Sequence, residues 1–260
     1  MTWETITLAT DDRGVATLTL NRPDKHNAMS ARMIAELAEA AESIAGDRAI
    51  RVAILTGKGA SFCAGGDLGW MREQFEADRA TRIEEARKLA NMLGALNALP
   101  QPLIGRINGQ AYGGGMGMMS VCDIAIGAED AKFGFTETRL GLIPATISPY
   151  VIARMGEAAA RRVFMSARLF DAAEAVRLGL LASSVAAEDL DEAIEAEIKP
   201  YLAAAPGAVA RSKRLTRLWG PDMPAEKIEQ TIEALADAWD DPEAHEGVAA
   251  FFDRRKPAWR

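Results

Sequence analysis

Cysteine and histidine are scarce in this chain, with two of each among 260 residues. Cys63 and Cys122 sit in apolar or Gly-rich surroundings without CxxC spacing. That excludes a disulfide framework and a cysteine zinc site, and it fits a reducing compartment. Cys63 lacks a basic neighbour and reads as a small buried residue rather than a nucleophile. His26 and His245 fall in expected loop or linker sequence, and neither is assigned a catalytic role. No window holds 18 consecutive apolar residues, and the opening MTWETITLAT lacks a basic segment followed by an apolar run. Neither a membrane span nor a signal peptide is therefore expected, and the expected location is the cytoplasm. Positive charge is in deficit: 30 Lys and Arg stand against 37 Asp and Glu, a net charge of −7. A nucleic-acid platform needs the opposite balance, so no nucleic-acid partner is expected.

What is present is an ordinary globular composition, 49% apolar and 26% charged, long enough for one large domain or one domain with a helical appendix. The β-rich runs at 3–9 and 15–20 flank TDDRG and predict an opening hairpin. Ser30 is placed to cap a helix carrying Ile34, Leu37, Ala41 and Ile44 on one face. The runs RVAILTG, LIGRINGQA and CDIAIGAE read as strands covered on both faces, alternating with helices. After about residue 150 strand signals stop, and helices are expected at 156–166, 171–180, 188–204, 206–219 and 225–239.

Two glycine turns each follow a short strand and precede a helix: SFCAGGDLGWM at 61–71 and AYGGGMGMMSVCD at 111–123. No GxGxxG occurs at 113–118, because position 118 is Met, and no glycine loop is followed by GKS or GKT. Dinucleotide and Walker readings are thereby weak. Two readings remain: the glycines allow close helix and strand packing, or they aim free backbone N–H groups at a substrate oxygen. One N–H from each turn, converging on one oxygen, makes an oxyanion hole worth several kcal/mol to catalysis.

NRPDKHNAM, SFCAGGDL, INGQAYGGGMGMMSVCDIAI, FGFTETRLGLIP and FFDRRKPAW resemble, in order and spacing, the motifs of the crotonase superfamily, the enoyl-CoA hydratase/isomerase family. The resemblance spans the whole chain. It implies an α/β fold, a spiral of ββα units over 1–195, followed by a helical region at 196–260 that trimerises, giving a homotrimer or a hexamer built as a dimer of trimers. It also implies an acyl-CoA thioester substrate, no separate cofactor and no metal.

Carried over residue by residue, the resemblance puts the oxyanion donors at the N–H of Gly66 and of Gly114. Ala64, Gly65 and Asp67 complete the first motif, with Asp67 read as a turn or cap residue. Two-glutamate hydratases carry their first acid where this chain has Gly117; the second matches Glu137, which becomes the candidate general acid/base. Lys25 resembles a residue near the CoA phosphates. Phe251 and Arg254 resemble an aromatic and a basic residue donated by a neighbouring subunit, although a solvated tail fits the same residues. A single glutamate serves a hydratase or a 3,2-enoyl-CoA isomerase equally well, and a non-catalytic acyl-CoA binder stands as a third reading. GGGMGMM with the ISPY segment is similar to bacterial methylglutaconyl-CoA hydratases. Their substrate's distal carboxylate makes Arg139 a candidate partner, though Arg139 could equally pair with a surface acid.

Overall fold

The structure, a computed structural model, describes residues 3–221 and 223–259. The expected hairpin forms from β1 (Ile6–Thr10) and β2 (Val15–Leu20), antiparallel across TDDRG. Ser30 caps α1 (Ala31–Gly46), its side chain accepting from the Met33 N–H, and the face bearing Ile34, Leu37, Ala41 and Ile44 is buried.

Three strand pairs follow, and each pair divides itself between two sheets. They are β3 (Val52–Gly57) with β4 (Ser61–Cys63), β5 (Leu103–Ile107) with β6 (Gln110–Tyr112), and β7 (Ile124–Ala128) with β8 (Lys132–Gly134). The first member of each joins a six-stranded sheet in the order β1-β2-β3-β5-β7-β10, and the second joins a four-stranded sheet in the order β4-β6-β8-β9. β9 is Phe170–Asp171 and β10 is Ser183–Val185. Pairing is parallel from β2 through β10 in the large sheet and from β4 through β8 in the small one, which is the ββα repeat.

LIGRINGQA, read as one strand, is thus two, bent at Asn108–Gly109. The strands do not stop at 150 either: β9 and β10 were hidden by their length of two and three residues, too short for any periodicity to register.

The intervening helices are α2 (Leu68–Glu76), α3 (Arg79–Ala98) and α4 (Gly114–Val121). α5 (Ser148–Met155), α6 (Glu157–Phe164), α7 (Ala172–Arg177), α8 (Leu190–Ala203), α9 (Pro206–Trp219), α10 (Ala225–Asp240) and α11 (Pro242–Phe252) follow. The main core joins Leu18, Leu55, Phe62, Met116, Met119, Phe133 and Phe135, all essentially sealed from water. At about 1.5–3 kcal/mol for each large side chain, this burial dominates the favourable side of folding. A boundary at 195/196 falls inside α8, whose Leu190, Ile194 and Ile198 pack on Val15, Val52, Ile54, Ile104 and Ile126 of the large sheet. α8 therefore packs with the core on the N-terminal side of that boundary.

Candidate active site

The glycine triplet does three different jobs. Gly113 has φ +49° and ψ −118°, a backbone conformation hostile to a side chain, and it ends β6 and opens α4 in one step. A Cβ on Gly113 would lie 3.2 Å from Glu137 Oε1 and 3.8 Å from the Gly65 Cα, so the two glycine turns and the carboxyl meet at this residue. Gly114 lies beneath the Met29 thioether. Gly115 is pressed against Cys63, where a Cβ would come within 2.7 Å of the carbonyl oxygen.

Two backbone donors are left free here. Met29 and Gly66 form a parallel bridge in which the Met29 N–H donates to the Gly65 carbonyl (2.7 Å) and the Asp67 N–H donates to the Met29 carbonyl (2.8 Å). Both bonds use the residues flanking Gly66, so Gly66's own N–H is turned away from Met29. Gly114 is the first residue of α4, where an N–H has no intrahelical acceptor and carries the positive end of the helix dipole. Neither N–H finds an acceptor among the described residues.

Glu137 opens a 3-10 turn, Glu137–Leu140, closed by Gly141 in the left-handed region. The residue as a whole is half-buried, but its Oε2 is sealed from water and has no hydrogen-bond partner among the described residues. Burial pushes its pKa up to about 7, and the nearby N–H groups of Glu137 and Thr136 only partly offset the rise. The C-terminal helices hold this turn from behind. Gly141 touches the backbone at Glu243–Ala244, Gly247 touches Leu140, and Leu142 packs with Trp239, Ala244 and Val248. Sequence reasoning missed this buttress, although Gly247 inside an apolar helix was a visible sign of close packing.

Asp67 is the N-cap of α2. Its Oδ1 accepts from the Gly69 and Trp70 N–H groups at the start of α2, its Oδ2 takes the Arg22 guanidinium at 2.8 Å, and these bonds hold its pKa down against the opposing effect of burial. Ala64 donates its N–H to the His26 carbonyl (3.0 Å), and Gly65 takes φ +94°. Asn27, which sequence reasoning passed over, ties the NRPDKHNAM loop down: its Oδ1 accepts from the Arg22 N–H and its Nδ2 donates to the carbonyls of Lys58 and Ser61. His26 is exposed, with its Nδ1 2.9 Å from the Ser61 hydroxyl.

Gly117 is packed rather than open. A Cβ there would come within 2.4 Å of Ile147 Cγ2, so the branched side chain of Ile147 already fills the space next to it. Cys63 and Cys122 are free and buried, and burial pushes both thiols up to about 12, far from a reactive thiolate.

Arg139 is exposed and has no side-chain partner among the described residues; its charge reaches the half-buried Tyr112 hydroxyl and partly offsets the rise that burial causes there. Lys25 is exposed at the end of a short 3-10 turn, Pro23–Lys25. Phe251 lies near the end of α11, its ring edge-on to Phe252 at 5.7 Å, and Arg254 follows with φ +55°. Among the described residues no group of three or more His, Cys, Asp or Glu could hold a metal, and no helix is long and apolar enough to cross a membrane.

The chain is similar over its length to proteins acting on acyl-CoA thioesters. It is 32% identical to the enoyl-CoA hydratase AKT6-1 of Alternaria alternata, over 94% of this chain and 80% of that one. It is also 32% identical to the (E)-benzylidenesuccinyl-CoA hydratase of Thauera aromatica, over 95% of each. Among solved structures, an enoyl-CoA hydratase from Shewanella pealeana superposes with a TM-score of 0.80 at 36% identity, covering 98% of this chain and 96% of that one. One from Mycobacterium avium superposes with a TM-score of 0.86 at 31% identity, covering 98% and 99%. The sequence profile of the enoyl-CoA hydratase/isomerase family matches residues 10–260, and with these relatives it establishes that the chain is a crotonase-fold enzyme of the enoyl-CoA hydratase/isomerase family.

Proposed function

We propose that the enzyme adds water to a 2-enoyl-CoA whose acyl chain carries a second carboxylate, of the 3-methylglutaconyl-CoA kind. The observation that carries the reading is the Glu137 carboxyl, its Oε2 sealed and unpartnered among the described residues, beside the junction of the two glycine turns. As a carboxylate, Glu137 takes a proton from water while the water oxygen bonds to C3. The C2=C3 electron pair moves toward the thioester, and the oxygen that gains the charge is held by the N–H groups of Gly66 and Gly114. The enolate then collapses, C2 takes the proton back from Glu137, and the carboxylate is regenerated. One group carries the proton both ways, so hydrogen and hydroxyl add to the same face.

Ile147 supports a one-acid mechanism, because it occupies the space beside Gly117 where a second acid would start. The unpartnered Arg139, two residues from Glu137, is the proposed contact for the distal carboxylate, and the benzylidenesuccinyl substrate in one relative's name also bears a free carboxylate. Lys25, Phe251 and Arg254 are proposed to hold CoA, the last two from a neighbouring subunit. The exposed Leu215, Leu218 and Trp219 of α9 support a trimer or hexamer. The scarcity of cysteine supports a reducing, cytoplasmic location.

The same single carboxylate favours a second reading, in which Glu137 moves a proton from C2 to C4 of a 3-enoyl-CoA. Turnover of crotonyl-CoA, 3-methylglutaconyl-CoA and a 3-enoyl-CoA separates the two. Loss of enoyl-thioester absorbance with a gain of one water mass supports the hydratase. Appearance of that absorbance at constant mass, from the 3-enoyl substrate alone, replaces it with the isomerase.

A further inference from the structure

The far end of α4 carries a second cluster of polar groups that the reaction does not use. A cavity of about 360 Å³ opens there, bordered by Asn97, Ser120, Asp123, Tyr150, Arg154 and Arg217. Arg154 donates from Nε to the Leu180 carbonyl and from Nη1 to the Cys122 carbonyl at the end of α4, which leaves its Nη2 without a partner among the described residues. The guanidinium of Arg217 has no hydrogen-bond or ion-pair partner among the described residues, nor has the hydroxyl of the buried Tyr150. The Ser120 hydroxyl is sealed from water and also unpartnered.

Among the described residues the single acid on the cavity wall, Asp123, is already engaged. Asp123 Oδ2 accepts from the Leu103 N–H and from Lys213 Nζ. Among the described residues three cations, Arg154, Lys213 and Arg217, therefore face one carboxylate, a formal charge of +2 for these four groups in a chain of −7. Burial pulls all three below their usual pKa, so the protein bears a desolvation cost for keeping them charged. A capping role accounts for Arg154 and an ion pair for Lys213. Neither accounts for Arg217, Tyr150 and Ser120, three donors left open around one space.

We propose that this cavity is an anion-binding site, separate from the Glu137 site, that takes a small oxyanion through Arg217, Arg154, Tyr150 and Ser120. The chemistry required is a compact, multiply charged hydrogen-bond acceptor, either a phosphate or a short dicarboxylate. The arginine fork suits both, and the hydroxyls complete the shell. This assignment does not depend on the reaction proposed for Glu137.

The test is thermal unfolding and titration calorimetry with inorganic phosphate and, in a separate arm, malonate, at ionic strength held constant with chloride. A saturable rise in Tm is expected with at least one of the two, and the stronger arm identifies the ligand. Arg217→Gln and Tyr150→Phe should each weaken that binding, Arg217→Gln by about tenfold or more. Lys25→Ala, at the proposed CoA-phosphate contact, should leave it unchanged. Three results overturn the proposal: no saturable response to either anion; equal binding by Arg217→Gln and wild type; or binding lost in Lys25→Ala instead. A fall in oligomeric mass on Arg217→Gln, with no anion response, also overturns it and assigns the cluster to an acidic side chain of a second copy.

Discussion

Positions 137 and 117, the two places where the family resemblance puts the glutamates of a two-acid hydratase, are treated in opposite ways by this chain. At 137 a carboxyl is kept, its Oε2 sealed from water and unpartnered among the described residues, at the head of a turn braced by α11. At 117 there is no side chain, and Ile147 has closed over the backbone. The contrast teaches that the space next to the Gly117 backbone is taken by the branched side chain of Ile147. Core packing occupies that position, while at 137 burial raises the carboxyl pKa toward neutral, as the proposed proton carrier requires.

The sharpest way to break this comparison is Glu137→Gln, which keeps the shape and removes the proton carrier. Turnover of the best substrate should fall by about 10²- to 10⁴-fold, with acyl-CoA binding retained. Full turnover would remove Glu137 from the chemistry.

The same variant sharpens the stability side. The folded pKa lies above the ordinary carboxyl value, rising from 4.5 to about 7. The protonated form is therefore favoured by folding, and the stability it contributes is present below pH 4.5 and lost as pH rises through 7. At about 1.4 kcal/mol per unit, the loss amounts to about 3 kcal/mol. Melting curves at pH 5 and pH 8 should show Glu137→Gln gaining on wild type at the higher pH. A gap that does not change with pH would mean that the carboxyl is not desolvated.

Filling the other position should cost stability. Gly117→Ala restores helix propensity worth about 1 kcal/mol, yet it drives a Cβ to within 2.4 Å of Ile147. Overpacking costs about 1–3 kcal/mol, so the variant should melt below wild type. In an Ile147→Ala background, which lacks Cγ2, the loss caused by Gly117→Ala should shrink; additive losses in a double-mutant cycle would deny the contact. The smallest effect is expected at exposed Arg139. Arg139→Ala should lower kcat/KM on 3-methylglutaconyl-CoA by no more than about tenfold while sparing crotonyl-CoA, because solvent screens such a pair. Equal losses on both substrates would rule out recognition of a distal carboxylate.

Much of this arrangement was legible in the residues. The hairpin, the Ser30 cap and the two glycine turns follow from local rules that act over a few positions. β4, β8, β9 and β10 did not show, since two or three residues carry no period. The bend that splits LIGRINGQA between two sheets was equally hidden. So was the meeting of Ile147 with Gly117 and of α11 with Gly141, because these contacts join segments distant in the chain. Glu137 was identifiable by its motif, but its isolation from water depends on helices more than a hundred residues away, and no local pattern encodes that.

The measurement that bears most directly on a lone, buried proton carrier is the pH dependence of kcat/KM for the best substrate. The account predicts one ionisation near pH 7, with the carboxylate as the active form, so that the rate falls tenfold for each pH unit below it and the limb vanishes in Glu137→Gln. A bell-shaped profile with two ionisations, or a single limb near pH 4.5, would contradict it.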